Sequence, residues 1–326
     1  MKRVIFTSPF VPAEFIEAHG LAPNRIISGG AGKSTSFDYI EGLCPYAQAF
    51  LSDVCQETQV AAAVLVTSCD QMRRVADLIR RESPLPLFLM NVPCTWQTSG
   101  SGRLYRSELG RLGRFLVQLG GRFPSTSEMA SAMRRYDDRR RNLRAARGQM
   151  SARRYAEALA TFIRDGRLAL DDDATRPPAD GIPLALVGGP LPTTDFWLFD
   201  EIERFGGRVV LDGSESGERT LPAPFDCRRL EDDPIGALMD AYWGTIPEAF
   251  QRPNSRLYVW LKRELEQCGA RGLIVRHYVW CDIWHAEAQR MAEWASIPVL
   301  HIDVERGALS KERTSGRLQA FLEVVR

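Results

Sequence analysis

Three cysteines stand where a parallel α/β fold presents side chains to a ligand. Cys69 follows the apolar, β-branched run at residues 64–66, Cys281 follows a similar run at residues 272–279, and a helix-like segment comes after each. Cys44 begins a third predicted helix. Ligands bind beyond the carboxyl ends of strands in open α/β sheets, and helix N-termini lower the pKa of a thiol and favour metal ligation. We therefore expect the three thiols to face one cleft.

Thiols from three separate elements favour one kind of metal site over another. A structural zinc site uses four ligands and close-spaced pairs, and the sequence contains no Cys-x-x-Cys pair. Three cysteines suit an iron–sulfur cluster that leaves one iron open to an exogenous ligand. Three unrelated buried cysteines are the alternative interpretation. Cys94, at the end of another buried strand, is either a fourth ligand that closes the cluster or a packed thiol.

Two further features suggest other chemistry. Residues 29–35 (Gly-Gly-Ala-Gly-Lys-Ser-Thr) are similar to a phosphate-binding loop, but Ile27 occupies the position of the first glycine that such a loop requires. We interpret the segment as a glycine loop near an active site, from which Ser34 could approach a substrate. His285, one turn beyond Cys281, could act as a general acid–base group or lie on the helix surface.

Acidic and aromatic residues accompany the cysteines. Asp70 and Asp282 directly follow Cys69 and Cys281, and we expect them to cap the next helices; proton transfer beside a cluster is the alternative. Tyr278, Trp280 and Trp284 could form an apolar wall that excludes water from the site, or they could be ordinary core residues.

The composition is that of a soluble globular protein. Of the 326 residues, 44% are hydrophobic and 25% are charged. The 42 basic and 41 acidic residues leave a net charge of +1, which gives no reason to expect nucleic acid or a membrane as partner. The arginine run at residues 139–141 is interpreted as a solvated helical face. Without a long apolar stretch, a cytoplasmic location with reduced thiols is expected.

The order of elements predicts an α/β fold with two domains and parallel sheets. Strand-like and helix-like segments alternate through residues 1–125, including an expected strand at 25–28, and alternate again through residues 182–326. Residues 126–181 contain two Arg-rich helices and an acidic, Pro-rich linker. We expect this helical segment to connect the two domains, with the thiols in the cleft between them.

Motifs throughout the chain resemble those of the 2-hydroxyacyl-CoA dehydratase and benzoyl-CoA reductase family, in particular the D-component-like subunits of 2-hydroxyglutaryl-CoA dehydratase. They are the segment at 11–23, Leu-Cys-Pro-Tyr at 43–46, Ser-Cys-Asp at 68–70, Gly-Gly-Pro-Leu-Pro at 188–192, Trp-Cys-Asp at 280–282 and the segments at 297–300 and 317–323. The resemblance implies two flavodoxin-like (Rossmann-like) domains that hold a 4Fe-4S cluster between them. Its three cysteine ligands are matched here by Cys44, Cys69 and Cys281.

The same resemblance implies a radical reaction in an anaerobic, oxygen-sensitive enzyme. An ATP-dependent iron–sulfur activator protein injects one electron, and a related second subunit or a second copy completes the dimer. The electron converts the acyl-CoA substrate to a ketyl radical anion, which expels a 2-hydroxyl group, or it reduces an aromatic ring. Two alternatives stay open: a double-cubane 8Fe-9S cluster, which Cys94 could help to hold, in a reductase of small molecules, and a non-catalytic partner subunit that carries a cluster.

Overall fold

The computed structural model describes residues 1–29, 40–170, 180–305 and 308–326. The first part of the chain forms a four-stranded parallel sheet with an apolar core on each face. Its elements are β1 (Arg3–Phe6), α1 (Ala13–Ala18), β2 (Ala22–Arg25), α2 (Pro45–Gln56), β3 (Val60–Val66), α3 (Asp70–Glu82), β4 (Leu87–Met90) and α4 (Ser99–Gln118).

Two long helices, α5 (Thr126–Ala145) and α6 (Ala152–Asp165), lead to a second four-stranded parallel sheet. The elements of this part are β5 (Ile182–Gly188), α7 (Trp197–Arg204), β6 (Gly207–Gly213), α8 (Pro234–Thr245), α9 (Ser255–Cys268), β7 (Gly272–Tyr278), α10 (Asp282–Trp294), β8 (Val299–Val304) and α11 (Ala308–Val325).

Both sheets have the strand order of a flavodoxin-like fold. The order is β2-β1-β3-β4 in the first sheet and β6-β5-β7-β8 in the second, and every neighbouring pair is parallel. In the first sheet β2 lies on one side of β1 and β3 on the other, so the chain changes sides between β1 and β3. In the second sheet it changes sides in the same way between β5 and β7. Such switch points are where open α/β sheets bind ligands. The predicted fold class, two flavodoxin-like units with parallel sheets, is confirmed.

Continuous apolar sequence explains the central strands. Residues 62–66 of β3 and all seven residues of β7 are buried, as expected for parallel strands that are covered on both faces. The strand predicted at 25–28 lies three residues earlier in the structure, because β2 pairs with β1 from Ala22 opposite Arg3. β2 is an edge strand and therefore tolerates Pro23.

Helix α8 packs on the first sheet although it follows β6 in the chain. Leu238, Tyr242 and Trp243 belong to the same apolar core as Phe10 and Leu109. Residues from the second half of the chain therefore complete the core of the first half. The domain limits at residues 125, 181 and 182 remain predictions.

The central arginine of the run 139–141 is buried, so the predicted solvated face is wrong at Arg140. Its guanidinium lies 3.0 Å from a carboxylate oxygen of Glu14 and 3.1 Å from one of Asp137. The Tyr242 hydroxyl donates to the other oxygen of Glu14 at 2.6 Å. These contacts join α1, α5 and α8, whereas the neighbouring Arg141 is exposed.

Two predicted segments fall outside the described ranges: residues 171–179 of the linker and residues 30–35 of the glycine loop. Among the helices that the structure describes, none combines the length and the apolar character needed to cross a membrane. The cytoplasmic location remains a prediction.

Candidate functional site

Cys44, Cys69 and Cys281 line one cavity of about 90 Å³. Each is the N-cap residue of a helix, Cys44 of α2, Cys69 of α3 and Cys281 of α10. Cys69 and Cys281 follow the carboxyl ends of β3 and β7, beside the switch points of the two sheets. Three helix N-termini, which favour negative charge, therefore face the cavity. The structure brings together the three thiols that the sequence singled out.

Local hydrogen bonds position these cysteines. The Ala47 N–H donates to Cys44 Sγ at 3.4 Å, and the Cys44 N–H donates to the side-chain oxygen of Gln71 at 2.9 Å. The second bond ties the start of α2 to the first turn of α3. The Cys281 N–H donates to the Tyr278 carbonyl at 3.1 Å, which closes a tight turn after β7.

Burial controls the protonation of the three thiols. It raises the pKa of Cys44 to about 12 and also raises the pKa of Cys69 and of Cys281. Backbone N–H groups at the helix N-termini lower these pKa values, but the loss of hydration is the larger effect. The helix N-terminus lowers the pKa of the Cys44 thiol as expected, but burial outweighs this effect and the pKa is raised overall.

Three cysteine thiols on one cavity wall are the donor type that an iron–sulfur cluster uses. Within the part of the chain that the structure describes, no three Cys, His, Asp or Glu side chains are grouped closely enough to hold a single metal ion. Cysteine thiolates of an iron–sulfur cluster bind different irons, so they stand further apart than the ligands of one ion. Three thiols on the wall of one cavity suit three irons of a 4Fe-4S cluster and leave the fourth iron to another ligand.

Two glutamates that the sequence analysis did not single out share the cavity. Glu215 and Glu248 line it, and both are paired with buried arginines. Burial and the charge of Glu248 raise the pKa of Glu215 to about 7, against the effect of Arg25 at 3.6 Å. Arg219 pairs with Glu248. The position of Glu215 in the sequence could have identified it, because it follows β6 at the edge of the sheet where ligands bind.

Aromatic residues form another part of the cavity wall. The rings of Tyr46 and Tyr278 stack with their centroids 5.9 Å apart. The central carbon of the Arg219 guanidinium lies over the Trp284 ring, 4.9 Å from its centroid. All three aromatic residues line the cavity. Of the predicted wall, Tyr278 and Trp284 are therefore in place, whereas Trp280 is exposed and lines a neighbouring cleft.

This neighbouring cleft is open and has a volume of about 550 Å³. Cys69, Cys281 and Phe250 line both the cleft and the cavity, so the cleft is a route from the surface to two of the thiols. Cys94 is exposed and lines the cleft, apart from the wall that carries the three thiols. Its role as a fourth ligand stays a prediction.

The other residues singled out from the sequence lie elsewhere. Ser34 is outside the described ranges. His285 is exposed on α10, and the centroid of its ring lies 5.5 Å from that of His277. It lines neither the cavity nor the cleft. Its catalytic role stays a prediction. The expectation that Asp70 and Asp282 cap α3 and α10 is wrong, because the preceding cysteines occupy the N-cap positions and the aspartates are the first residues of the helices.

Comparison with known proteins agrees with the motifs. The family model for the 2-hydroxyglutaryl-CoA dehydratase D-component matches residues 9–325. No curated protein matches the chain. A crystal structure described as a mutation variant of SsGBP is 11% identical, and the alignment covers 100% of this chain and 98% of that one, but its TM-score of 0.23 carries no argument. Because the family model spans nearly the whole sequence, the chain belongs to the 2-hydroxyglutaryl-CoA dehydratase D-component family.

Proposed function

We propose that this protein is an iron–sulfur subunit that dehydrates or reduces an acyl-CoA thioester by one-electron chemistry. Family membership supports a dehydratase-type enzyme subunit that acts with partner subunits. The observation that carries the finer proposal is the convergence of Cys44, Cys69 and Cys281 on one cavity. The partners in this proposal are a related second subunit or a second copy, and an ATP-dependent iron–sulfur activator.

A 4Fe-4S cluster held by the three cysteines would supply low-potential electrons and an iron able to act as a Lewis acid. The chain itself provides a small cavity with Tyr46, Tyr278 and Trp284 on one part of its wall. The N-termini of α2, α3 and α10 favour the negative charge that reduction brings to this cavity. The adjoining cleft gives a thioester access from the surface.

Glu215 is the residue that we expect to hold or move a proton at this site. Its carboxyl group lies in the cavity wall, and the loss of hydration together with the charge of Glu248 raises its pKa towards neutral pH. A group with a pKa near the working pH transfers protons efficiently, because both of its protonation states are populated. In this proposal a carboxylate oxygen of Glu215 accepts the proton that leaves the substrate, and Arg25 stabilises the ionised form.

A second candidate function rests on Cys94. This residue lines the same cleft as Cys69 and Cys281, and as a fourth ligand it would make the protein an electron relay that supports a catalytic homologue. A double-cubane 8Fe-9S cluster needs more thiolates than the three that meet in the cavity. Iron content separates the double cubane from both single-cluster alternatives, because a single cluster predicts about four irons per chain and a double cubane about eight.

Anaerobic purification followed by iron and sulfide analysis and electron paramagnetic resonance tests the proposal. We expect Cys44→Ser, Cys69→Ser and Cys281→Ser to lose iron and the paramagnetic signal of the reduced protein. Cys227→Ser is the matched control, since Cys227 is exposed and lies outside the cavity, and it should keep both. A wild-type protein that stays colourless and free of iron after reconstitution would contradict the proposal.

A further inference from the structure

Tyr278 carries a buried hydroxyl group that the fold leaves without a partner. The residue ends β7 and is 4% exposed, and its hydroxyl has no hydrogen-bond partner in the part of the chain that the structure describes. Among the buried, unpartnered polar side chains of these described residues, it is the one that lines the cavity of the three thiols. A buried hydroxyl without a partner destabilises a fold, because it has lost its hydration and gained no bond in exchange. Such a group suits a partner that occupies the cavity.

The neighbouring Tyr46 provides a contrast. It stacks on Tyr278 and lines the same cavity. Its hydroxyl is hydrogen-bonded to the hydroxyl of Thr7 and donates to the Ile26 carbonyl at 3.4 Å. The two rings therefore stand side by side in one wall, but their oxygen atoms differ, because the oxygen of Tyr46 is satisfied within the first half of the chain. Of the two hydroxyls, that of Tyr278 has a hydrogen left to offer to a group in the cavity.

The surroundings of Tyr278 hold its ring and keep its proton in place. The Arg276 guanidinium lies over the ring, 4.6 Å from its centroid, and is paired with Asp195. A guanidinium only donates hydrogen bonds, so it leaves the hydrogen of the hydroxyl unused. Tyr278 belongs to the same apolar core as Cys44, although the two residues come from different halves of the chain. Burial raises the pKa of Tyr278 against the effect of Arg276, so the hydroxyl stays protonated at neutral pH.

We propose that Tyr278 tunes the cluster of the proposed function by donating its O–H to a sulfur atom on the Cys44 side of that cluster. Hydrogen bonds to the sulfurs are among the determinants of the reduction potential of an iron–sulfur cluster. Such a donor stabilises the reduced state more than the oxidised state, because reduction adds one negative charge to the group that accepts the bond. The electron comes from the iron–sulfur activator, no covalent bond forms or breaks, and the proton stays on the tyrosine oxygen. The inference rests on the proposed function, since it takes the three cysteines to hold a cluster.

A redox titration of the anaerobically reconstituted protein tests this proposal, with electron paramagnetic resonance as the readout of the reduced state. Tyr278→Phe removes the oxygen and keeps the ring, so this variant should bind as much iron and sulfide as the wild type. We expect it to lose about tenfold in the stabilisation of the reduced state relative to the oxidised state, which lowers a one-electron midpoint potential by about 59 mV. Tyr46→Phe is the matched control and should keep the wild-type potential, because its hydroxyl is engaged with Thr7 and Ile26.

Two further measurements separate a hydrogen bond from a structural role. In electron–nuclear double resonance in deuterated water, the reduced wild type should show a coupled exchangeable deuteron that Tyr278→Phe lacks. In urea unfolding of the proteins without iron, Tyr278→Phe should be at least as stable as the wild type, because the hydroxyl that it loses has no partner in the fold. Tyr46→Phe should be less stable than the wild type, because it loses the bonds to Thr7 and Ile26.

Three results would overturn the proposal and leave the proposed function standing, because in each of them the wild type carries its cluster. Equal potentials of the wild type and Tyr278→Phe would leave water as the partner of the hydroxyl. Equal shifts in Tyr278→Phe and Tyr46→Phe would assign the effect to the general polarity of the cavity. Loss of iron from Tyr278→Phe would assign the residue to cluster assembly. A wild type that takes up no iron would refute the inference and the proposed function together.

Discussion

Replacing Arg140 with Leu should strongly destabilise the fold, because it removes the counter-charge of two buried carboxylates. Glu14 is fully buried and Asp137 is 7% exposed. The Arg140 guanidinium lies 3.0 Å from Glu14 and 3.1 Å from Asp137. The Tyr242 hydroxyl binds the same Glu14 carboxylate from α8. The substitution therefore acts at the point where α1, α5 and α8 meet.

The size of the effect follows from this burial. Burial alone lowers the pKa of Arg140, but Glu14, Tyr242 and Asp137 together raise it above its ordinary value, so the guanidinium stays charged. Removing one partner of a buried ion pair costs about 3–5 kcal/mol, since the remaining charge loses its compensation. Against a typical free energy of unfolding of about 5–15 kcal/mol, we expect the Leu variant to lose roughly a fifth or more of its stability.

Urea denaturation near neutral pH measures this loss, and the neighbouring arginine provides the control. Arg141 pairs with Asp138 on the surface, with side-chain exposures of 70% and 66%, so Arg141→Leu should cost less than about 0.5 kcal/mol. Adding Glu14→Gln to Arg140→Leu should recover part of the loss, because it removes one stranded charge. Equal effects of Arg140→Leu and Arg141→Leu would refute the buried network.

Two further predictions concern stability. Burial raises the pKa of Glu218 from 4.5 to about 7, so the folded protein keeps this proton to a higher pH than the unfolded chain and loses roughly 1.4 kcal/mol per pH unit across that window. Glu218→Gln should flatten the fall in urea stability between those pH values, and an unchanged slope would count against the assignment. Gly188→Ala should cost about 2 kcal/mol or more in thermal or urea unfolding, because φ is +142° and the new Cβ would lie 1.8 Å from the Arg276 carbonyl oxygen. Gly316→Ala, which meets nothing within 4 Å, is the control and should be tolerated.

The sequence was sufficient to predict the elements that carry the thiols. Apolar runs before Cys69 and Cys281 read as buried parallel strands, and the strand order of a flavodoxin-like sheet brings their carboxyl ends to one edge. Cys44 could be placed because Pro45 begins α2 and thus fixes the N-cap position. In each case a local pattern places the cysteine at the end of its element, and the topology of the two sheets brings these ends to one cavity.

The buried charges could not be predicted in this way. Arg140 and Glu14 are 126 positions apart, and Arg25 hydrogen-bonds the backbone of Glu215 across 190 positions. A charged residue is by default a surface residue, and only its distant partner makes burial tolerable. Nothing next to Arg140 or Glu215 in the sequence identifies that partner, so both were missed.

The pKa values of the thiols lead to a prediction about how the proposed cluster is loaded. Burial raises the pKa of Cys44 to about 12, and Cys69 and Cys281 are raised as well, so the protein without a cluster holds three neutral thiols at neutral pH. Iron binds thiolates, so cluster binding should release about three protons. Anaerobic reconstitution with iron and sulfide should therefore be more complete at about pH 8.5 than at about pH 7, and Cys44→Ser should reduce the proton release measured in weakly buffered solution. Cluster uptake without proton release would mean that the thiols are already ionised, and that the three helix N-termini outweigh the loss of hydration in the cavity.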